Sequence, residues 1–207
     1  MQSRSSSSTA LAPTLWPFAG NRTAQALVLV LAGTAVLTIS AKIQVPFWPV
    51  PMTLQTLAVM LIGATYGSRL AVVTVLAYIA EGAIGLPVFA NTPPQIAGPA
   101  YLIGPTAGYI WGWVVAAGII GFAADRGASR SIGKLFVAIL IGEMLLFAMG
   151  FAWLAWFATL SSGDVGLGAE KALAAGVTPF ILADLLKTAL ASLLVPAAWS
   201  LLRKRDI

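Results

Sequence analysis

The chain has 207 residues, of which 59% are hydrophobic and only 9% are charged, against about 25% charged in an ordinary soluble domain. That deficit leaves too little polar surface to hold a globule in water, and the mean hydropathy of +0.90 identifies an all-α integral membrane protein. The net charge of +5 is spread over the ends of apolar runs and indicates no nucleic-acid partner, and the absence of Cys and His removes disulfides, thiolate chemistry and the usual zinc or iron ligand sets, so no metal or other cofactor is expected.

Residues 1–22 begin Ser-rich and are broken by Pro13 and Pro17. No cleavable signal pattern follows, and they read as a flexible arm ahead of one transmembrane domain over residues 23–207. The first spanning helix is expected over 23–43, with a small-residue cluster at Ala32, Gly33, Thr34 and Ala35. The run Val45 to Pro51, VPFWPVP, blocks helix continuation. Thr53 then signals a new start, and two short helices follow, over 53–66 and 70–83, separated by Gly67-Ser68-Arg69. At about 14 residues each they are roughly 21 Å long, short of the roughly 20 residues a bilayer span needs.

Residues 85–105 carry prolines at 87, 93, 94, 99 and 105 among apolar residues. A long apolar loop of this kind is expected to fold back over the protein. A fourth helix is expected over 106–124, with Gly108, Gly112 and Gly118 as close-packing positions, and a fifth over 135–160, with Trp153 and Trp156 as interfacial anchors. A polar linker, SSGDVGLGAEKALAAG, leads to a sixth over 178–202 that stops at Arg203-Lys204-Arg205.

Six helices place Arg4, Arg22, Arg69, Arg126, Arg130, Lys134, Arg203, Lys204 and Arg205 on the side of the termini and only Lys42 and Lys171 on the other. The positive-inside rule then makes that side, and both termini, cytoplasmic. Fusing the two short helices into one would reverse every later loop and leave Arg126, Arg130 and Lys134 outside.

Within the last helix Asp184 and Lys187 stand three residues apart in an apolar run, hence on one face. At 1.5 Å per residue they lie about 9 and 14 Å below its outer end. Ionisable groups at such a depth are costly and mark functional positions by default. Two readings stay open: an ion pair that locks the helix to its neighbours, or a site for a polar solute entering from outside, with carboxylate acceptors and ammonium donors. Glu81, at the outer end of the third helix, is either a solvated helix-end carboxylate or a ligand group. Glu143, nearer mid-depth, could face a partner, pair with a polar neighbour or carry a proton. The outer loops and the helix ends they join offer Gln44, Trp48, Thr53 and Gln55, then Phe89, Asn91, Gln95, Tyr101 and Tyr109, as walls and polar contacts of a small-molecule pocket. GxxxxGK[ST] is absent, so the chain has no Walker A chemistry of its own. An intramembrane enzyme acting on a lipid or isoprenoid with Asp184 and Lys187 as acid–base pair is the alternative, although no DDxxD-type cluster is present. A structural or assembly protein is the third reading, but it would not predict polar residues gathered on one leaflet.

Four stretches, in order, resemble one family: Pro46 to Thr56 (PFWPVPMTLQT), Gly85 to Asn91 (GLPVFAN), Gly104 to Tyr109 (GPTAGY) and Pro179 to Lys187 (PFILADLLK). They are similar to the BioY family, the biotin-specific S components of energy-coupling factor (ECF) vitamin transporters. The resemblance covers about residues 24–200. It implies a six-helix S-component bundle in the cell membrane, not an enzyme, that captures biotin from outside. Its implied partners are a transmembrane coupling (T) protein and two ABC-type ATPases. It also implies that Asn91, Asp184 and Lys187 contact the ligand: Asp184 accepting from a ureido N–H, Asn91 giving and accepting, and Lys187 donating either to the ureido oxygen or to the carboxylate. Trp48, Phe89 and Tyr109 are the expected contacts of the thiophane ring and valeryl chain, with Gln55 as a further polar contact. Two departures stand out. Ala107 replaces a Gly common in the third motif, and no Ala-x-x-x-Ala coupling motif occurs in the first helix, where the small patch at 32–35 takes its place.

Overall fold

A computed structural model describes residue 11 and residues 21–205; the arm expected over residues 1–22 falls almost wholly outside the described residues. Helices occur at all six expected places: α1 (Arg22–Lys42), α2 (Gln55–Tyr66), α3 (Ser68–Ala83), α4 (Ala107–Asp125), α5 (Ile132–Trp156) and, after a further short helix α6 (Ala169–Gly176), α7 (Ile181–Arg205). Among the described residues four stretches are long and apolar enough to cross a membrane: α1, α4, α5 and the run Ala169–Leu202 that holds α6 and most of α7. The helices α2 and α3 have 12 and 16 residues.

Three details depart from the sequence expectation. The proline-rich stretch after α1 closes a small antiparallel ladder, β1 (Gln44–Val45) with β2 (Met52–Thr53), Gln44 standing opposite Thr53. Helix α5 stops at Trp156, four residues before the expected end. The second half of the supposed polar linker is helical, because Ala169-Glu170-Lys171-Ala172-Leu173-Ala174-Ala175 consists of strong helix formers.

The buried core runs through the middle of the bundle, with Leu37, Val59, Tyr78, Ile110, Leu146 and Leu154 in one cluster and Met60, Ile120, Ile139 and Val195 in another. Helix α4 is its axis and packs on α5, α2 and α3. A Cβ added at Gly108 would stand 2.2 Å from Trp153 Cβ, and one at Gly112 3.0 Å from Leu146 Cα, so these two glycines let α4 and α5 approach as the sequence suggested. Trp153, expected as an interfacial anchor, is half-buried and donates from Nε1 to Gly104 O at 2.9 Å.

Cross-links sort the turns into two ends. At one end Asp125 accepts from the backbone N–H of Ser68 at 3.0 Å, Trp199 Nε1 donates to Ser129 Oγ at 3.2 Å, and Tyr66 donates to Leu29 O at 2.9 Å. The α2–α3 turn, the α4–α5 turn, the start of α1 and the end of α7 therefore lie together. At the other end are the β1–β2 hairpin, loop 84–106 and the α5–α7 connection.

Candidate functional site

Asp184 and Lys187 meet as their spacing requires. Lys187 Nζ lies 2.7 Å from Asp184 Oδ1, and the two side chains are only 5% and 11% exposed. The pair is built into the start of α2: Lys187 Nζ also donates to Thr53 O and to Thr56 Oγ1, each at 2.9 Å, and Thr56 Oγ1 stands 2.8 Å from the same Asp184 oxygen. An ammonium has three protons, so this geometry uses all of them. Asp184 Oδ2 is buried without a hydrogen-bond partner.

Asp184 lies on the wall of a cavity of ≈ 380 Å³ between α5 and α7, together with Glu143, Phe147, Phe151, Ile181 and Thr188. The lining is aromatic and aliphatic apart from Thr188 and the two acids. That is the composition of a small-molecule pocket. A second, narrow cavity of ≈ 40 Å³ lies under the hairpin and the 84–106 loop, lined by Thr53, Gln55, Tyr78, Phe89, Tyr109 and Trp113. The two meet at an aromatic partition, Tyr109 standing edge-on to Phe147 with ring centroids 6.2 Å apart.

Of the other expected contacts, Gln55, Phe89 and Tyr109 line the narrow cavity, and Asn91 and Trp48 line neither. Gln55 is buried and donates from Nε2 to Tyr78 Oη at 2.7 Å; Tyr78 in turn donates to Val88 O at 2.9 Å. Phe89 is buried and stacks on Tyr101 at 4.6 Å. A Cβ at Gly82 would come within 2.0 Å of Phe89 Cζ, so only glycine on α3 leaves room for this ring. Burial raises the Tyr101 phenol above its ordinary pKa, keeping it a donor to Ala90 O at 2.9 Å. Tyr109 reaches across to Gly176 O at 2.8 Å. Asn91 accepts at Oδ1 from Gln44 Nε2 at 2.7 Å. Its φ of +58° is the only positive value at a non-glycine among the described residues; Asn tolerates that region better than most residues. Trp48 is 69% exposed on the hairpin turn and lines neither cavity.

A continuous chain of contacts joins the expected polar residues. Asn91 bonds Gln44, Gln44 faces Thr53 across the ladder, and Thr53 O receives Lys187, which holds Asp184. Two participants were not foreseen. Thr56 is 128 residues from Asp184 in sequence; it closes the first of the four motif stretches, but its residue type gives no sign of which distant groups it bonds. Lys42 was read only as a topology charge, yet its Nζ donates to Pro87 O at 2.7 Å, to Phe89 O at 2.8 Å and to Thr92 O, so it clamps the loop that carries Phe89 and Asn91. Among the described residues no group of three or more acidic, His or Cys side chains could hold a metal ion.

Residues 8–204 match the BioY family. A probable biotin transporter BioY of Pyrococcus horikoshii is 36% identical over 168 residues, covering 81% of this chain and 92% of the relative. The biotin transporter BioY of Thermotoga maritima is 33% identical over 168 residues, covering 80% and 92%. Among solved structures, the crystal structure of the S-component for biotin from an ECF-type ABC transporter superposes with a TM-score of 0.72 at 26% identity, covering 89% of this chain and 94% of that one.

Proposed function

The chain belongs to the BioY family, and we propose on that premise that it is the biotin-capturing S component of a vitamin uptake transporter, taking biotin from the outer side of the cell membrane. The observation that carries this reading is the buried Asp184–Lys187 pair, anchored on Thr53 and Thr56 and leaving Asp184 Oδ2 unpartnered beside a largely apolar cavity. Biotin has a complementary make-up: a ureido ring with two N–H donors and one C=O, an apolar thiophane ring and an aliphatic tail ending in a carboxylate. Asp184 Oδ2 accepts a ureido N–H, with the gain of a buried charge-assisted hydrogen bond. Lys187, its protons committed within the protein, fixes the position and charge of Asp184. Asn91, its oxygen held by Gln44, offers amide N–H groups to the ureido oxygen. Phe89, Tyr109 and Gln55 belong to the loop-side wall of the site.

The wider arrangement follows from the same reading. Residues 23–207 form one six-span domain in the cell membrane with both termini cytoplasmic. The exposed face of α1, which includes Leu27, Leu31, Val36 and Ile39 beside Ala32 and Ala35, receives the coupling protein, and two ABC-type ATPases supply the energy this chain has no motif to supply. The protein is not an enzyme: the relatives it matches are named as transporters, and the buried Asp184–Lys187 pair is tied into α2 by hydrogen bonds.

Titration of the purified protein with biotin tests the reading. Its seven tryptophans provide a fluorescence signal, and saturable binding is expected at or below micromolar biotin. No saturable response there, with thermal unfolding showing a folded protein, would sink it.

A further inference from the structure

The cavity between α5 and α7 holds one acid more than the proposed site uses. Glu143 is 4% exposed, and neither of its carboxylate oxygens has a hydrogen-bond partner. On α5 the cavity wall is Leu140, Glu143, Met144 and Phe147; on α7 it is Ile181, Asp184, Leu185 and Thr188. Both sets follow the i, i+3, i+4, i+7 spacing of one helix face. Two stripes on antiparallel helices therefore face the same space, each carrying one acid. Together they present three buried, unpartnered carboxylate oxygens: both of Glu143 and Oδ2 of Asp184.

A buried carboxylate without donors is expensive, and a native group left so calls for an explanation. The lysine of the site cannot supply one. Its Nζ is committed to Thr53 O, Thr56 Oγ1 and Asp184 Oδ1, and an ammonium has no fourth proton. The walls around Glu143 are aliphatic and aromatic except for Asp184 and Thr188. A ligand entering the cavity would supply donors that these oxygens lack.

Building on the biotin reading, we infer that Glu143 is a second acceptor and a specificity-determining residue, taking the ureido N–H that Asp184 does not. A cyclic urea has two N–H groups flanking its carbonyl, and the cavity provides two acids on opposite walls. The pocket thus selects ligands in which both ureido nitrogens carry a hydrogen. Blocking either nitrogen leaves one buried acid unpaired, and that loss of a partner discriminates more strongly than a missing apolar contact.

The test uses the full chain in detergent or nanodiscs, titrated with biotin and with the two biotins methylated on one or the other ureido nitrogen. In the wild-type protein each methyl group is expected to weaken binding by about tenfold or more, the size of a lost hydrogen bond to a charged group. Glu143→Leu is expected to weaken biotin by a similar factor and to stop distinguishing biotin from one of the two methyl analogues, while still rejecting the other. Glu143→Gln, which keeps an acceptor oxygen, should retain most of the affinity. Glu143→Leu binding biotin as well as wild type overturns the inference and leaves the biotin reading standing. So does a Glu143→Leu protein that binds weakly but keeps both methyl penalties in full, since that marks a packing role. A wild-type protein that does not bind biotin at all overturns both.

Discussion

At the scale of single residues, the decisive feature is how the Asp184–Lys187 pair is held. Its existence was legible, because two ionisable residues three apart in an apolar helix leave few alternatives to pairing, and the observed contact is 2.7 Å. The surroundings were not legible. The partners on α2 are a backbone carbonyl and a threonine hydroxyl, groups that almost any sequence offers. On the proposed reading they make Lys187, with every proton engaged, a support for Asp184. Removing either partner of a buried pair leaves the other uncompensated. Asp184→Asn and Lys187→Met should each weaken biotin binding by more than about tenfold, equivalent to roughly 1.4 kcal/mol, while the protein still inserts and elutes as a folded species. Thr56→Val keeps the shape and removes the bridging hydroxyl, so a smaller loss is expected, roughly the 0.5–1.5 kcal/mol of a neutral hydrogen bond. Calorimetric titration of the three variants checks the order. Normal binding by both Asp184→Asn and Lys187→Met would make the pair a staple between α7 and α2.

At the scale of elements, the sequence spoke clearly where local chemistry dominates and poorly where distant backbone groups do. The prolines of loop 85–105 ruled out a regular α-helix, leaving a 3-10 turn at Pro99–Ile103, and of its apolar residues Val88, Phe89 and Ala90 are buried while Leu86, Ile96 and Ile103 stay exposed. What fastens the loop is Lys42 at the end of α1, through the carbonyls of Pro87, Phe89 and Thr92. Carbonyls that become available only after the chain has turned leave no trace in residue type, and so Lys42 looked like a topology charge alone. The polar linker is two things in one stretch: glycines and serines at 161–168 with loop composition, and seven helix-forming residues after them that fold as α6. Lys42→Met removes the clamp without altering the apolar stem. Hydrogen exchange should then quicken across residues 86–95 while α4 and α5 keep their protection, because local opening tracks the loss of local contacts. Biotin binding should weaken with it, since Phe89 and Asn91 ride on that loop. Unchanged exchange in the loop would show that the packing of Phe89 on Tyr101 and under Gly82 holds it unaided.

At the scale of the whole molecule, the open question is sidedness, and it turns on α2 and α3. With 12 and 16 residues they rise only about 18 and 24 Å, less than the roughly 30 Å of a hydrocarbon core. Length alone would let them be one re-entrant hairpin. The contacts argue for two passes. The turn between them is bonded to the end of α4 through Ser68 and Asp125, whereas the start of α2 holds Lys187 at the opposite end with the β1–β2 hairpin. Short helices can complete a crossing when longer neighbours and a hairpin and loop covering the outer end shield their ends from lipid. By the positive-inside rule the end bearing Arg69, Arg126, Arg130 and Lys134 is the one expected in the cytoplasm. The chain lacks cysteine, so single thiols report on this without background. In intact cells a membrane-impermeant maleimide should label Ile84→Cys and Ser162→Cys. It should reach Arg69→Cys and Gly133→Cys only after permeabilisation; all four positions are exposed in the structure. If the thiols at 69 and 84 react from the same side, α3 does not cross, and the six-span arrangement and the outward placement of the Asp184 site fall together. If they react from opposite sides but in the reverse sense, the bundle stands and the direction of capture is inverted.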